Sequence, residues 1–358
     1  MERLGLVGLP NSGKSSLFNA LTGAETVVAA HPFSTTETTV GIAMVPDDRV
    51  DRLGEMSSSK KLVHATFEIV DIAALVRGAS SGEGLGNQFL GSLRDCDAIV
   101  FVLRAFDDPS VPGDSDPLGD LDTLELELVL ADLASVEGRL YRQRRAAKGD
   151  KSIAAEIAAL ERAEQVLGDG VPIYRSDLTD DDRALLAPVF LLTDKPVLMV
   201  VNIGEDQLGD SDEVLAPILD GRASPDDVLA VSLQLEAEAA LLDPEGRVEL
   251  LEGLGLGEGV VPRVARACYH RLGRRTFLTT GDTESRAWTF RAGAKAPECA
   301  GVIHSDLQRG FIRAEVIEWQ ELLEIGSWPK AKEQGKLRVE GKDYEVADGD
   351  VLEIRFNV

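Results

Sequence analysis

The chain has 358 residues, 44% of them hydrophobic, and a formal net charge of −25. Its length suits two or three domains, and its apolar fraction fills ordinary cores, so disorder is excluded as the default state. The acidity excludes whole-surface binding to DNA or RNA, whose phosphates repel it.

The charge is uneven. Residues 274–358 hold 13 Lys/Arg and 15 Asp/Glu, a net of −2, which leaves 24 against 47, a net of −23, for 1–273. If any part touches RNA, the C-terminal part is electrostatically the least unsuited. Cys96, Cys268 and Cys299 form no C-x-x-C pair and are odd in number, so neither a disulfide framework nor a zinc site is expected. None of the four histidines pairs with another ligand at i, i+4 spacing. No apolar run approaches the ~18 residues of a membrane span, and the first residues lack a basic, then apolar, leader pattern. The expectation is a soluble, cytoplasmic protein that does not enter membranes.

In chain order, Leu4–Val7 reads as a buried strand, followed by a Gly/Pro/Asn loop and the helical run Ser15–Leu21. Between them Gly8-Leu9-Pro10-Asn11-Ser12-Gly13-Lys14-Ser15 satisfies G-x-x-x-x-G-K-[ST] in the strand–loop–helix context that the phosphate-binding loop requires. Glycines let backbone N–H groups close around phosphates, and the helix N-terminus adds favourable potential. Lys14 reaches the β/γ oxygens and Ser15 ligates Mg²⁺. The expected nucleotide contacts here are Asn11, Ser12, Gly13, Lys14, Ser15 and Ser16. Pro32-Phe33-Ser34-Thr35-Thr36 is a polar loop before a strand, and Thr35 there can close on Mg²⁺ and the γ-phosphate. Lys14 and Thr35 are the candidate catalytic groups. Asp71 ends the strand Thr66–Asp71, the position from which a carboxylate makes an outer-sphere Mg²⁺ contact, and the Gly-rich stretch Gly78–Gly86 reads as a second switch.

Further short apolar runs, Asp97–Leu103, Pro196–Asn202 and Val228–Ser232, alternate with helical segments, which implies βαβ units and a mainly parallel sheet. That alternation breaks between about Leu121 and Pro188. Leu126, Val129, Leu133, Val136 and Leu140 step by 3, 4, 3, 4, and Ile153, Ile157, Leu160 and Leu167 continue the stripe, the spacing of two antiparallel, partly coiled helices. After Arg274 the β-like runs Arg286–Arg291, Phe311–Trp319, Lys336–Val339 and Val351–Phe356, with a short helix at Ala296–Ile303, predict a small α+β domain. Arg309 and Arg313 there offer either an RNA-facing patch or solvated sheet residues.

Asn202-Ile203-Gly204-Glu205 follows the strand Pro196–Val201. In GTP-binding proteins this slot reads Asn-Lys-x-Asp, whose Asp takes two hydrogen bonds from guanine. Here Ile203 replaces the Lys and Glu205 is one methylene longer than Asp, so it crowds the guanine edge. Asn202 is free to meet the adenine amino group, with backbone near Ile203 contributing. A site built for one set of hydrogen bonds rejects the other base through unpaired polar groups. ATP is the expected nucleotide.

These segments together resemble the Obg-like ATPase (YchF-type) family of translation-factor-class P-loop NTPases. The resemblance runs through Gly5–Ala20, Pro32–Gly41, Phe67–Arg94, Val201–Asp206 and above all Arg286–Val358, including Arg286-Ala287-Trp288-Thr289, Gly310-Phe311-Ile312-Arg313-Ala314-Glu315 and the ending Arg355-Phe356-Asn357-Val358. It implies an α/β Ras-like nucleotide-binding domain at 1–120 and 189–273, a helical coiled-coil insertion at 121–188, and a β-grasp, ubiquitin-like TGS domain at 274–358. It also implies Mg²⁺-dependent ATP hydrolysis to ADP, association with the ribosome (large subunit or 70S) and so with rRNA, a role in translation or stress response, no DNA partner, and a monomer. By resemblance Lys14, Ser15, Thr35 and Asp71 serve phosphate and Mg²⁺, while Asn202, Ile203, Glu205 and Ser232 serve the base.

The chain departs from the family pattern in places. Ala74 stands where the second switch has Gly, and its Cβ restricts backbone rotation. The loop Phe106–Asp116 lacks the histidine that the family links to hydrolysis. Leu75 stands where Ras-type proteins carry a water-orienting Gln, and Ser232-Leu233-Gln234 replaces Ser-Ala-Lys. Intrinsic turnover is therefore expected to be slow. Asn11 either holds a K⁺ that replaces an arginine finger or merely shapes the loop. Two other functions remain open: a GTPase of the Obg or Era type, and an interaction scaffold that binds nucleotide and scarcely turns it over.

Overall fold

A computed structural model describes residues 2–23, 38–72, 85–109, 111–146 and 153–357. Thr35 with the rest of Pro32–Thr36, His31, Ala74, Leu75 and most of the Gly-rich second switch lie outside the described residues.

Twelve strands occur among the described residues. The first seven are β1 Arg3–Val7, β2 Thr39–Val45, β3 Leu62–Val63, β4 Ala65–Asp71, β5 Ala98–Arg104, β6 Val197–Asn202 and β7 Val228–Val231. The other five are β8 Arg274–Thr279, β9 Ser285–Arg291, β10 Phe311–Glu318, β11 Arg338–Glu340 and β12 Asp350–Phe356. They form two six-stranded sheets, ordered β2-β4-β1-β5-β6-β7 and β11-β10-β12-β8-β9-β3.

In the first sheet β4, β1, β5, β6 and β7 pair in parallel. β5 and β6 are buried along their whole length, as expected of strands covered on both faces. The helix Pro117–Ala146 divides its apolar residues between two cores. Leu121, Leu124, Leu128 and Ala131 join Phe101, Leu103, Met199 and Val201 of the sheet. Val129, Val136 and Leu140 meet Leu160, Ala163 and Leu167 of the helix Ala154–Gly168. The helix begins before the expected start of the insertion, and Leu126 of the proposed stripe is 52% exposed. Its neighbours face the sheet instead, because the first turns of the helix pack on β5 rather than on a second helix. Asp132, fully buried, fixes this foot by accepting from the N–H groups of Leu192 and Thr193 at 2.9 and 2.7 Å and from the Thr193 hydroxyl at 2.7 Å.

The second sheet is mixed. β8–β9, β10–β12 and β10–β11 are antiparallel and β12–β8 is parallel. The helix Ala296–Ile303 closes one face, with Cys299 and Ala300 against Phe277, Phe290, Ala314 and Leu352.

The chain divides into two compact units, Met1–Ala43 with Glu68–Cys268, and Met44–Phe67 with Tyr269–Val358. Segment 44–67, which the sequence placed in the nucleotide-binding domain, instead belongs to the C-terminal unit. β3 pairs in parallel with β9 (Leu62↔Ser285, Val63↔Arg286). On the helix Asp48–Ser57, Arg49 donates to Asp348 at 2.8 Å and to the Thr276 hydroxyl at 2.7 Å, and Arg52 lies over Trp319 at 5.2 Å. Asp348 is thereby held below the usual carboxylate range: burial raises it, but the Thr276 N–H and the Arg49 guanidinium outweigh that cost.

Candidate functional site

In an open parallel sheet the loops that leave the C-terminal strand ends meet in one crevice. Here those are the loops after β1, β5, β6 and β7, with the last residue of β4, Asp71, at the same sheet end. The loop after β1 turns through two left-handed residues, Asn11 at φ 66° and Gly13 at φ 95°, before the helix Lys14–Thr22 begins. Asn tolerates that region, and Gly13 alone fits at its position: a Cβ would run into the Asn202 amide nitrogen. A Cβ on Gly8 would lie 2.8 Å from the Val102 carbonyl oxygen, so the start of the loop rests directly on β5.

Lys14 is buried and its ammonium donates to Asp71 Oδ1 at 2.5 Å, while the Ser15 hydroxyl donates to Asp71 Oδ2 at 2.9 Å. One carboxylate at the end of β4 thus joins the P-loop lysine and serine. Hydroxyl and carboxylate oxygens on facing elements are the hard donors that suit Mg²⁺. The residues present fit that ion.

The base side differs from the expectation. Asn202 is 5% exposed, its amide donates to the Ser12 carbonyl at 3.1 Å, and its Oδ1 accepts from Leu233 N–H at 3.2 Å. Its own carbonyl takes the N–H groups of Ala105 and Phe106 at 2.9 and 3.1 Å. The expected contact with the adenine amino group is corrected accordingly: Asn202 is engaged on four partners within the protein. Ile203 is buried in the sheet core, and its N–H goes to the Val231 carbonyl at 2.9 Å, so that amide is not offered to a base. Glu205 is exposed at the start of the short helix Glu205–Asp210. Ser232 is buried, and its hydroxyl and that of Ser12 have no hydrogen-bond partner among the described residues. Ser16 is exposed.

Two residues that tie the crevice loops together were not anticipated. Arg104, last in β5 and opposite Asn202 in register, is 7% exposed and donates to the Phe106 and Pro112 carbonyls at 3.1 and 3.3 Å. Gln207 accepts from Gly204 N–H at 2.8 Å and donates to the Ala105 carbonyl at 3.1 Å. A cation closing an otherwise apolar strand was the visible signal for Arg104, and Gln207 had none. Arg309 and Arg313, considered for RNA, pair with Asp306 and Glu315. No group of three or more potential metal-ligating His, Cys, Asp or Glu side chains occurs among the described residues, and no described helix is long and apolar enough to cross a membrane.

Comparison with known proteins agrees with this architecture. Residues 3–125 match the family described as 50S ribosome-binding GTPase, and residues 275–357 match the YchF GTPase C-terminal family, described as a protein of unknown function. The chain is 45% identical to the ribosome-binding ATPase YchF of Bacillus subtilis and 44% identical to that of Haemophilus influenzae, over 99% of each chain. A solved structure titled as the Schizosaccharomyces pombe YchF GTPase superposes with a TM-score of 0.86 at 32% identity, covering 99% of this chain and 97% of that one. The chain belongs to the YchF family.

Proposed function

We propose that this chain is a ribosome-associated ATPase switch that hydrolyses ATP to ADP and phosphate with slow intrinsic turnover. The observation that carries it is the Lys14–Asp71–Ser15 cluster at the mouth of a glycine-turned P-loop. The names of the full-length relatives, ribosome-binding ATPases, support both the nucleotide and the partner.

In this reading the P-loop amides from Asn11 to Ser16 and the Lys14 ammonium grip the phosphates, which stabilises charge on the γ-oxygens as transfer proceeds. Ser15 would ligate Mg²⁺ directly and Asp71 through water, with Thr35 as a further ligand. The ion supplies charge neutralisation between the β- and γ-phosphates. Glu205, exposed beside the crevice, is the residue left to disfavour guanine, while Ser12 and Ser232 carry buried hydroxyls that a polar ligand would satisfy. K⁺ beside Asn11 belongs to the same proposal, and equal turnover in KCl and NaCl at one ionic strength would remove it.

The helices around 121–188 are read as a coiled-coil arm and the C-terminal sheet as a β-grasp TGS domain. Segment 44–67 adds four basic and four acidic residues to that unit, which keeps it nearly neutral and best suited to rRNA. We place the protein in the cytoplasm as a monomer with no DNA or membrane partner.

The test is co-sedimentation with purified ribosomes in ATP, ADP and no nucleotide, beside multiple-turnover ATPase with and without ribosomes. Nucleotide-dependent pelleting and ribosome-stimulated turnover are expected. Pelleting indifferent to nucleotide, with no turnover, would leave a scaffold. A second reading, GTP as the substrate, is favoured by the name of the solved Schizosaccharomyces pombe relative, a YchF GTPase. Tighter GTP than ATP binding in a direct titration would select it.

A further inference from the structure

We infer that Arg104 is a positioning residue for phosphoryl transfer, tying Phe106 and Pro112 together on the connection that leaves β5 beside the P-loop. This rests on the ATPase reading above.

A buried cation ordinarily has a carboxylate partner, because desolvating an unpaired charge is costly. Arg104 is 7% exposed, yet among the described residues its guanidinium meets only two backbone carbonyls and the face of the Phe106 ring, at 5.2 Å. The carbonyls belong to Phe106 and Pro112, six residues apart on the same connection. One rigid planar fork therefore ties both ends of that connection. A lysine, with a single point of donation on a flexible stem, cannot reproduce the arrangement.

The connection it ties is anchored at the nucleotide crevice. Ala105 and Phe106 both donate to the Asn202 carbonyl, and the Asn202 side chain holds the Ser12 carbonyl of the P-loop. Gln207 adds a second tie by donating to the Ala105 carbonyl. The carbonyl of Val102, two residues before Arg104, underlies Gly8 at the start of the same loop. Displacement of Phe106 would thus be felt by the backbone that grips phosphate. Misplacing reacting groups by about 1 Å costs on the order of a hundredfold in rate, so a guanidinium that fixes this segment acts on turnover without touching substrate.

The experiment compares Arg104→Lys and Arg104→Ala with the parent protein in three measurements: Kd for ATP, single-turnover hydrolysis, and amide hydrogen exchange of the peptide covering 105–113. Hydrolysis about tenfold slower in both variants is expected, with Kd within twofold and faster exchange in that peptide. The lysine variant keeps the charge and loses the fork, so full recovery of rate in Arg104→Lys would assign the effect to charge and overturn the inference. Unchanged rate in both variants would also overturn it, as would a rate loss that merely follows the folded fraction. If the parent shows no hydrolysis, the ATPase reading falls by itself. The exchange comparison still decides whether Arg104 holds the segment, and equal protection in all three proteins would refute that.

Discussion

At the phosphate end of the crevice, polar side chains satisfy one another: Lys14 and Ser15 both end on Asp71. At the base end, Asn202 and Ile203 are buried and bonded to the protein's own backbone, and only Glu205 faces solvent. The difference shows how one motif can hold two kinds of residue. In the proposed function, phosphate is recognised by groups that exchange an internal partner for a ligand. On the same proposal, the base is framed by a residue whose hydrogen bonds assemble the loops around it. Substitutions at the two ends should therefore fail in different ways.

The largest effect is expected at Lys14. Lys14→Ala removes a charge-assisted donor to phosphate, worth about 1.5–3 kcal/mol, so adenine nucleotides should bind roughly ten- to a hundredfold more weakly. Thermal stability should change little, because Ser15 still occupies Asp71. Undiminished ATP binding in isothermal titration would mean that phosphate is gripped elsewhere. Asn202→Ala should do the opposite. It strands the Ser12 carbonyl and the Leu233 N–H in a buried site, at about 1–3 kcal/mol each, so the unfolding midpoint should drop by several degrees. Affinities for ATP, ADP and GTP should weaken by a common factor. Loss confined to adenine nucleotides, at unchanged stability, would restore Asn202 as a base reader.

Asp71→Asn sharpens the phosphate side. The amide keeps the shape and loses the charge that favours Mg²⁺, so ATP affinity measured in Mg²⁺ should fall roughly tenfold, or about 1.4 kcal/mol. In EDTA the same variant should match or exceed the parent, since Lys14 is no longer neutralised by an internal carboxylate. Equal losses in both buffers would show that Asp71 acts on the loop's structure rather than through the ion.

Much of this was legible in residue order. The P-loop, the strand-ending Asp71 and the helix Ala296–Ile303 follow from patterns local to a few residues, and the structure places them as read. What escaped depends on partners remote in sequence. Leu62–Val63 is a two-residue strand with no periodicity of its own, and it exists only because β9, more than two hundred residues later, supplies an edge. Arg49 looks like an ordinary surface charge until Asp348 and Thr276 are known to face it. The same holds at the site: Asn202 carries the chemistry of a base contact, but Ser12 and Leu233 reach it first. Leu126 fitted a helical stripe whose neighbours turned out to face a sheet.

The smallest effect belongs to Glu205, and it bears most directly on the base end. With Asn202 and Ile203 engaged inside the protein, choice of base falls to groups that remain accessible, and Glu205 is one of them. Glu205→Asp withdraws one methylene, about 0.8 kcal/mol of steric and solvation difference, so the ratio of GTP to ATP affinity should rise about fourfold. Stability should be unaffected, since the side chain is exposed and the following turn is held by Gln207 rather than by Glu205. Competition titration of fluorescent ATP with unlabelled GTP measures the ratio directly. A ratio that stays constant would take base selection away from this turn altogether and move it to the loop around Ser232, whose buried hydroxyl sits beside the Leu233 N–H that Asn202 holds.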